Sequence, residues 1–161
     1  MRESDAIEVL EKLVVVKAGR WLDVGAGTGL FTAALDAVLE QDSEIYALDK
    51  NPHVLYSLKL TQSKLFIEDQ NFDRELDLPL FDGIVIANTL HTTEDKKGLL
   101  NKLIALLKPA GELIITELDT DVPLQPWVPF PIKLNEIDEL LHLSNRKIVD
   151  KVEGIPMLAS N

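Results

Sequence analysis

The chain has 161 residues, 46% of them hydrophobic, a formal charge of −11 and no cysteine. That size implies one domain over residues 1–161 with a substantial buried core. The missing thiols exclude disulfides, thiolate–zinc sites and cysteine nucleophiles. The acidic balance argues against broad nucleic-acid binding, which draws its affinity from neutralised phosphates. Residues 1–5 lack the basic flank of a secretory signal, and no apolar run approaches the roughly 20 residues of a bilayer span. A cytoplasmic protein without membrane association is the expectation.

Strand and helix patterns alternate nearly throughout. An opening helix is predicted over residues 4–15, with Ile7, Leu10, Leu13 and Val14 on one stripe. Trp21, Leu22 and Val24 begin a strand, and Phe31 to Val38 continue as a helix after a glycine-rich turn. A second strand follows over 44–49, and Asn51-Pro52 starts the next helix, since proline suits a first helical turn. Strands over 64–69 and 82–90 come next. Thr93 is placed to cap a helix through Leu107, and Lys108-Pro109-Ala110-Gly111 turns the chain into a strand over 112–118. Residues 119–132 hold four prolines around Trp127 and Phe130 and read as a stiffened loop. A helix over 134–143 and two short strands, 147–152 and 156–159, complete the pattern. Such alternation implies an α/β fold with a mostly parallel sheet.

The most informative segment is Leu22-Asp23-Val24-Gly25-Ala26-Gly27-Thr28-Gly29-Leu30. Three glycines leave the main chain bare where a strand turns into a helix, whose free N–H groups then face a ligand. A dinucleotide fingerprint would place a third glycine where Leu30 stands, and no Gly-Lys-Ser/Thr follows as in a phosphate-binding P-loop. The carboxylate of Asp23 suits a cationic ligand group better than a pyrophosphate. The segment resembles motif I of the class I S-adenosylmethionine-dependent methyltransferases, D/E-x-G-x-G-x-G, at each defined position.

That resemblance implies a doubly wound, mostly parallel seven-stranded Rossmann-like sheet. One strand near the C-terminus would be antiparallel, and helices would cover both faces. It also implies S-adenosyl-L-methionine as cofactor, with S-adenosyl-L-homocysteine as product. Motif I contributes Asp23, Gly25, Ala26, Gly27 and Gly29 to that cofactor. Asp49, twenty positions after Gly29, can accept from both ribose hydroxyls, or can simply cap the turn at Asn51-Pro52. Asp69 and Gln70 match the family's adenine-binding position, with Glu68 leaving the register open. Lys50, Leu48 and Phe72 are flanking candidates for the adenine, or ordinary core in the apolar cases. Asn88 matches the position whose carbonyl receives the methionine ammonium.

Transfer from a sulfonium needs mainly alignment, and a base only when the acceptor must lose a proton. His91 is the base candidate, or a packing residue at the strand–helix junction. His53 and His142 read as surface residues. Glu117, Asp119 and Asp121 could bind a cationic acceptor or a hard metal ion, or form a solvated edge; no metal is expected. Trp127 and Phe130 are acceptor-side candidates, or a cover over the sheet. The chain lacks the Asn/Asp-Pro-Pro-aromatic motif of amino-nucleobase methyltransferases, so a small-molecule acceptor is expected. The short segment before the first strand leaves the cleft open, or closed by a homodimer or partner subunit. The rival readings are a non-catalytic S-adenosylmethionine-binding subunit and an NAD-dependent oxidoreductase.

Overall fold

The computed structural model describes residues 1–143. It opens with α1 (Glu3–Leu13), whose first turn is tied by the Arg2 backbone N–H donating to the Asp5 carboxylate at 3.0 Å. Ala6 and Leu10 of α1 bury against α2 (Leu30–Val38), where Phe31, Ala34, Leu35 and Val38 face them. The sheet contains β1 (Arg20–Val24), β2 (Glu44–Asp49), β3 (Lys64–Asp69), β4 (Phe81–Ala87) and β5 (Leu107–Thr116). Their order is β3-β2-β1-β4-β5, and all four pairings are parallel. The predicted α/β architecture is therefore present, with five parallel strands among the described residues. The two further strands expected over 147–152 and 156–159, including the antiparallel one, lie outside those residues.

The side-chain alternation of the strands sets the layering. Trp21, Ile45, Val85 and Ile114 point to the α1–α2 side. Leu22, Val24, Leu48, Ile84 and Ile86 point to the other side. There they meet Leu99, Leu100 and Leu103 of α3 (Lys96–Ala105) and Ile137 and Leu141 of α4 (Leu134–Leu143). Each fully buried aliphatic or aromatic side chain contributes about 1.5–3 kcal/mol. A one-residue slip would turn both sets to the wrong face, so the register is firmly set.

Several elements differ from the sequence expectation. Pro52–Ser57 forms 3₁₀ turns instead of an α-helix, and Asn51 supplies no side-chain cap. Only six residues separate Asn51 from extended Leu58, too few to nucleate an α-helix comfortably. β4 stops at Ala87 because Asn88 takes the left-handed conformation, φ +48°. Thr93 closes a 3₁₀ turn, Leu90–Thr92, and the cap of α3 is Asp95, whose carboxylate accepts from the Gly98 N–H at 2.9 Å. The turn at 108–111 is a bulge inside β5: Phe81 pairs with Leu107, but Gly83 pairs with Glu112.

The chain runs outward from β1 to β2 and β3, then returns to lay β4 and β5 on β1's other side. That reversal leaves a crevice beyond the carboxyl ends of β1 and β4, where open α/β sheets bind ligands. The glycine turn and residues 88–93 both emerge there.

Candidate functional site

The glycine turn is fastened to β2. The Gly25 and Ala26 N–H groups donate to the Leu48 carbonyl at 2.8 and 3.0 Å, and the Ala26 side chain packs with Ala47 and Leu55. Gly25 has φ +72°, and a Cβ there would collide with the Thr89 side chain. Gly27 has φ +55°, yet nothing lies closer than 3.8 Å to where its Cβ would be. The first glycine is thus demanded by packing beneath the loop. The second combines a conformation costly to other residues with open space above it, the room a ligand needs. Gly29 is the N-cap of α2.

Asp49, at the end of β2, accepts from the Gly27 N–H on one carboxylate oxygen and the Asn51 N–H on the other, each at 2.8 Å. The expected cap of the turn at Asn51 is present, and the same side chain also ties that turn to the glycine loop. Each oxygen keeps a lone pair for a ribose hydroxyl. Asp69 is the register partner of Asp49 and is exposed. Gln70 is engaged locally, donating to Glu68 at 3.0 Å and accepting from the Asp77 N–H at 3.3 Å. Lys50 is exposed. Leu48 and Phe72 are buried in the core, so their apolar character serves packing. The Asn88 N–H donates to the Thr116 carbonyl at 2.8 Å. At the crevice the structure thus brings together bare main chain at Gly27, open space above it and the Asp49 carboxylate with two acceptor oxygens.

Asp23 lies elsewhere than its motif suggested. Its side chain is 1% exposed and accepts from the Thr32 hydroxyl of α2 at 2.6 Å. It therefore lies beneath the loop, with its side chain turned to α2. Burial, opposed by the Thr32 hydrogen bond and aided by repulsion from Asp49, pushes its pKa up to about 6. A carboxyl that titrates higher when folded favours the fold while protonated and loses that advantage as pH rises through the folded value. The shift amounts to about 3 kcal/mol. The stability of Asp23→Asn relative to wild type should accordingly rise by up to about this amount between pH 4 and pH 8. Urea denaturation at the two pH values measures it, and a flat difference would place Asp23's titration in the ordinary carboxylate range.

His91 stands on the turn after β4. It is buried, and its Nδ1 lies 2.6 Å from Glu117 Oε1, beyond the end of β5. The same carboxylate accepts from the His91 backbone N–H at 3.2 Å and from the Leu118 N–H at 2.9 Å. The Phe130 N–H donates to the His91 carbonyl at 3.0 Å. Ring and peptide are therefore clamped together. With Glu117 accepting at Nδ1, the neutral imidazole leaves Nε2 as its free acceptor. This geometry allows proton removal at Nε2 and also fixes the ring at the strand–helix junction.

Sequence reasoning had Glu117 among three carboxylates for a cationic group, and those three disperse. Glu117 holds His91, Asp119 accepts from the Leu134 N–H at 3.0 Å, and Asp121 pairs with Lys133 at 2.6 Å. Among the described residues no cluster of histidines and carboxylates is arranged for a metal. Thr89 was also missed: its hydroxyl reaches the Ala87 and Gly25 carbonyls at 3.0 and 3.4 Å, linking the glycine loop to the turn that carries His91. Trp127 is 72% exposed at the tip of a hairpin closed by reciprocal Leu124–Val128 hydrogen bonds. Phe130 is 38% exposed beside His91. A plain cover over the sheet is thus excluded for Trp127.

A parallel sheet with this order, a glycine turn at its reversal and a carboxylate closing the adjacent strand define a Rossmann-like nucleotide-cofactor protein. A family profile described as a methyltransferase domain matches residues 22–113, and the chain belongs to that family. Ubiquinone/menaquinone biosynthesis C-methyltransferase UbiE of Psychromonas ingrahamii is 30% identical over 126 residues, covering 71% of this chain and 49% of its own. Polyketide synthase 19 of Gibberella fujikuroi is 31% identical over 117 residues, covering 66% of this chain and 5% of that protein. The chain thus spans half or far less of these relatives. A solved S-adenosylmethionine-dependent methyltransferase of Leishmania major shares the fold, with a TM-score of 0.72 and 18% identity over 92% of this chain and 64% of that one.

Proposed function

We propose that this chain transfers a methyl group from S-adenosylmethionine to a nucleophile of a small-molecule acceptor, and that the nucleophile is carbon. The observation that supports the reading is the Thr89 hydroxyl bond to the Gly25 carbonyl, which joins the glycine loop held by Asp49 to the turn that carries the His91–Glu117 pair. Bound S-adenosylmethionine supplies a sulfonium methyl open to in-line displacement, leaving S-adenosylhomocysteine. Asp49 holds the ribose side and the Asp69–Gln70 strand end the adenine side. Lys50 flanks the ring, and the Asn88 carbonyl takes the ammonium. The buried Asp23 charge favours a cation above the loop.

His91 Nε2 removes the acceptor's proton, and Glu117 steadies the imidazolium that results. Carbon is favoured because a carbon acid needs such a base, and because UbiE, the relative matched over the longest stretch reported above, is named a C-methyltransferase. Trp127 and Phe130 form the acceptor side. The reading includes a single domain over 1–161 completed by the two C-terminal strands, one antiparallel, in a cytoplasmic protein. A second copy or a partner subunit over the open cleft belongs to it too.

Calorimetric titration with S-adenosylmethionine, S-adenosylhomocysteine and NAD, side by side, tests this. Micromolar binding of the first two and none of NAD is the expected result. Binding of NAD alone would replace the reading with an oxidoreductase. Binding with no transfer to any carbon, oxygen or nitrogen acceptor would make the chain a non-catalytic cofactor subunit.

A further inference from the structure

Lys96 stands at the first position of α3, soon after the turn that carries His91. Its Nζ donates to the Thr93 carbonyl at 3.0 Å and lies 5.7 Å from the centre of the Phe130 ring. Thr93 ends the turn that carries His91, and the Phe130 N–H is bonded to the His91 carbonyl. Ammonium and aromatic ring therefore meet beside the turn that carries His91. The Lys96 side chain is half-buried, and burial draws its pKa down. Glu117 just beyond β5, Glu136 from α4 and Glu94 from its own segment act on it in the opposite sense. None of them is an ion-pair partner: among the described residues no carboxylate oxygen lies within 4.0 Å of the ammonium. Glu117 is already engaged by His91.

A partly desolvated charge ordinarily has a partner, because removing it from water is costly without compensation. Here one backbone carbonyl compensates, and two N–H donors stay free. A positive charge without a direct ion-pair partner, near the turn that carries a base, is what a reaction that develops negative charge on its substrate requires.

We propose that Lys96 receives the oxyanion of the acceptor, which makes the substrate class a carbonyl compound with an acidic C–H beside the carbonyl. The proposal rests on His91 being the base. As His91 Nε2 takes that proton, the C–H electron pair becomes the carbon–carbon double bond of an enolate and the carbonyl π pair moves onto oxygen. The Lys96 ammonium hydrogen-bonds that oxygen. The enolate carbon then forms the new bond to the methyl, the carbon–sulfur pair returns to sulfur, and the carbonyl is restored. The proton stays on His91 until it is lost to solvent.

Acetylacetone is a suitable probe, because its enolate has its own ultraviolet band and can be followed without turnover. The full chain saturated with S-adenosylhomocysteine is titrated with pH, with the probe bound, for wild type, Lys96→Met and Lys96→Arg. In wild type the enolate midpoint should fall at least about one pH unit below that of the free probe, a tenfold change in the equilibrium. Lys96→Met should return it towards the free value, and Lys96→Arg should keep most of the shift. All three proteins should bind S-adenosylhomocysteine with the same calorimetric affinity, which separates loss of this role from misfolding. A midpoint unshifted in wild type, or equally shifted in Lys96→Met, overturns the assignment to Lys96. Failure of wild type to bind S-adenosylhomocysteine overturns instead the functional reading beneath it.

Discussion

Asp49→Ala should weaken S-adenosylmethionine binding by roughly a hundredfold or more while leaving the fold in place. Hydrogen bonds to a charged group contribute about 1.5–3 kcal/mol each, and the proposed ribose contacts would lose two of them. The same substitution frees the Gly27 and Asn51 N–H groups that Asp49 now accepts from. Both bonds are solvent-exposed, so water replaces them at small cost and the loop loses order rather than the sheet. Calorimetry gives the affinity and circular dichroism the fold. An affinity within threefold of wild type, with an intact fold, would remove Asp49 from the cofactor site and leave it as a tie between two turns.

The second large effect concerns His91. His91→Ala should lower turnover by about 10²–10⁴, the usual contribution of a positioned base, with cofactor affinity changed less than twofold. Release of S-adenosylhomocysteine in the presence of a 1,3-dicarbonyl acceptor is the measurement. Glu117→Gln tests the clamp: as a positioning residue, Glu117 should affect kcat more than KM, and its loss should move the acid limb of the pH–rate profile. A purely packing His91 predicts otherwise, with lower thermal stability and no distinctive pH profile in the active fraction.

The fold was readable from sequence wherever periodicity was strong. Strands over 44–49 and 64–69 and the helix over 134–143 appear with the expected limits, because apolar alternation and flanking polar residues agree there. Legibility failed where two local signals competed. Thr93 and Asp95 are both acceptable caps, and only the bond to the Gly98 N–H decides between them. Pro52 is compatible with either kind of helix, and the shortness of the segment settled it as 3₁₀.

The site divides in the same way. The glycine turn and Asp49 announce themselves because their conformation and spacing are local. The pairing of His91 with Glu117 spans 26 residues and depends on β4 lying beside β5. The burial of Asp23 was equally hidden, since its residue type signals a ligand and only its position on the α2 side of β1 sends it to Thr32. Lys96 was overlooked for a related reason: a lysine at a helix start reads as solvent-facing until its half-burial is seen.

Thr89 has a consequence for how such a protein can diversify. Its hydroxyl joins the loop over Gly25 to the turn leading to His91, so changes in 88–93 are transmitted to both halves of the crevice at once. The hairpin around Leu124–Val128, by contrast, closes on itself and hangs from the site through the Phe130 N–H and the Ile132 anchor. Substitutions at the tip between Val122 and Val128 are therefore expected to leave the glycine loop and the His91 turn undisturbed, whereas substitutions in 88–93 are not.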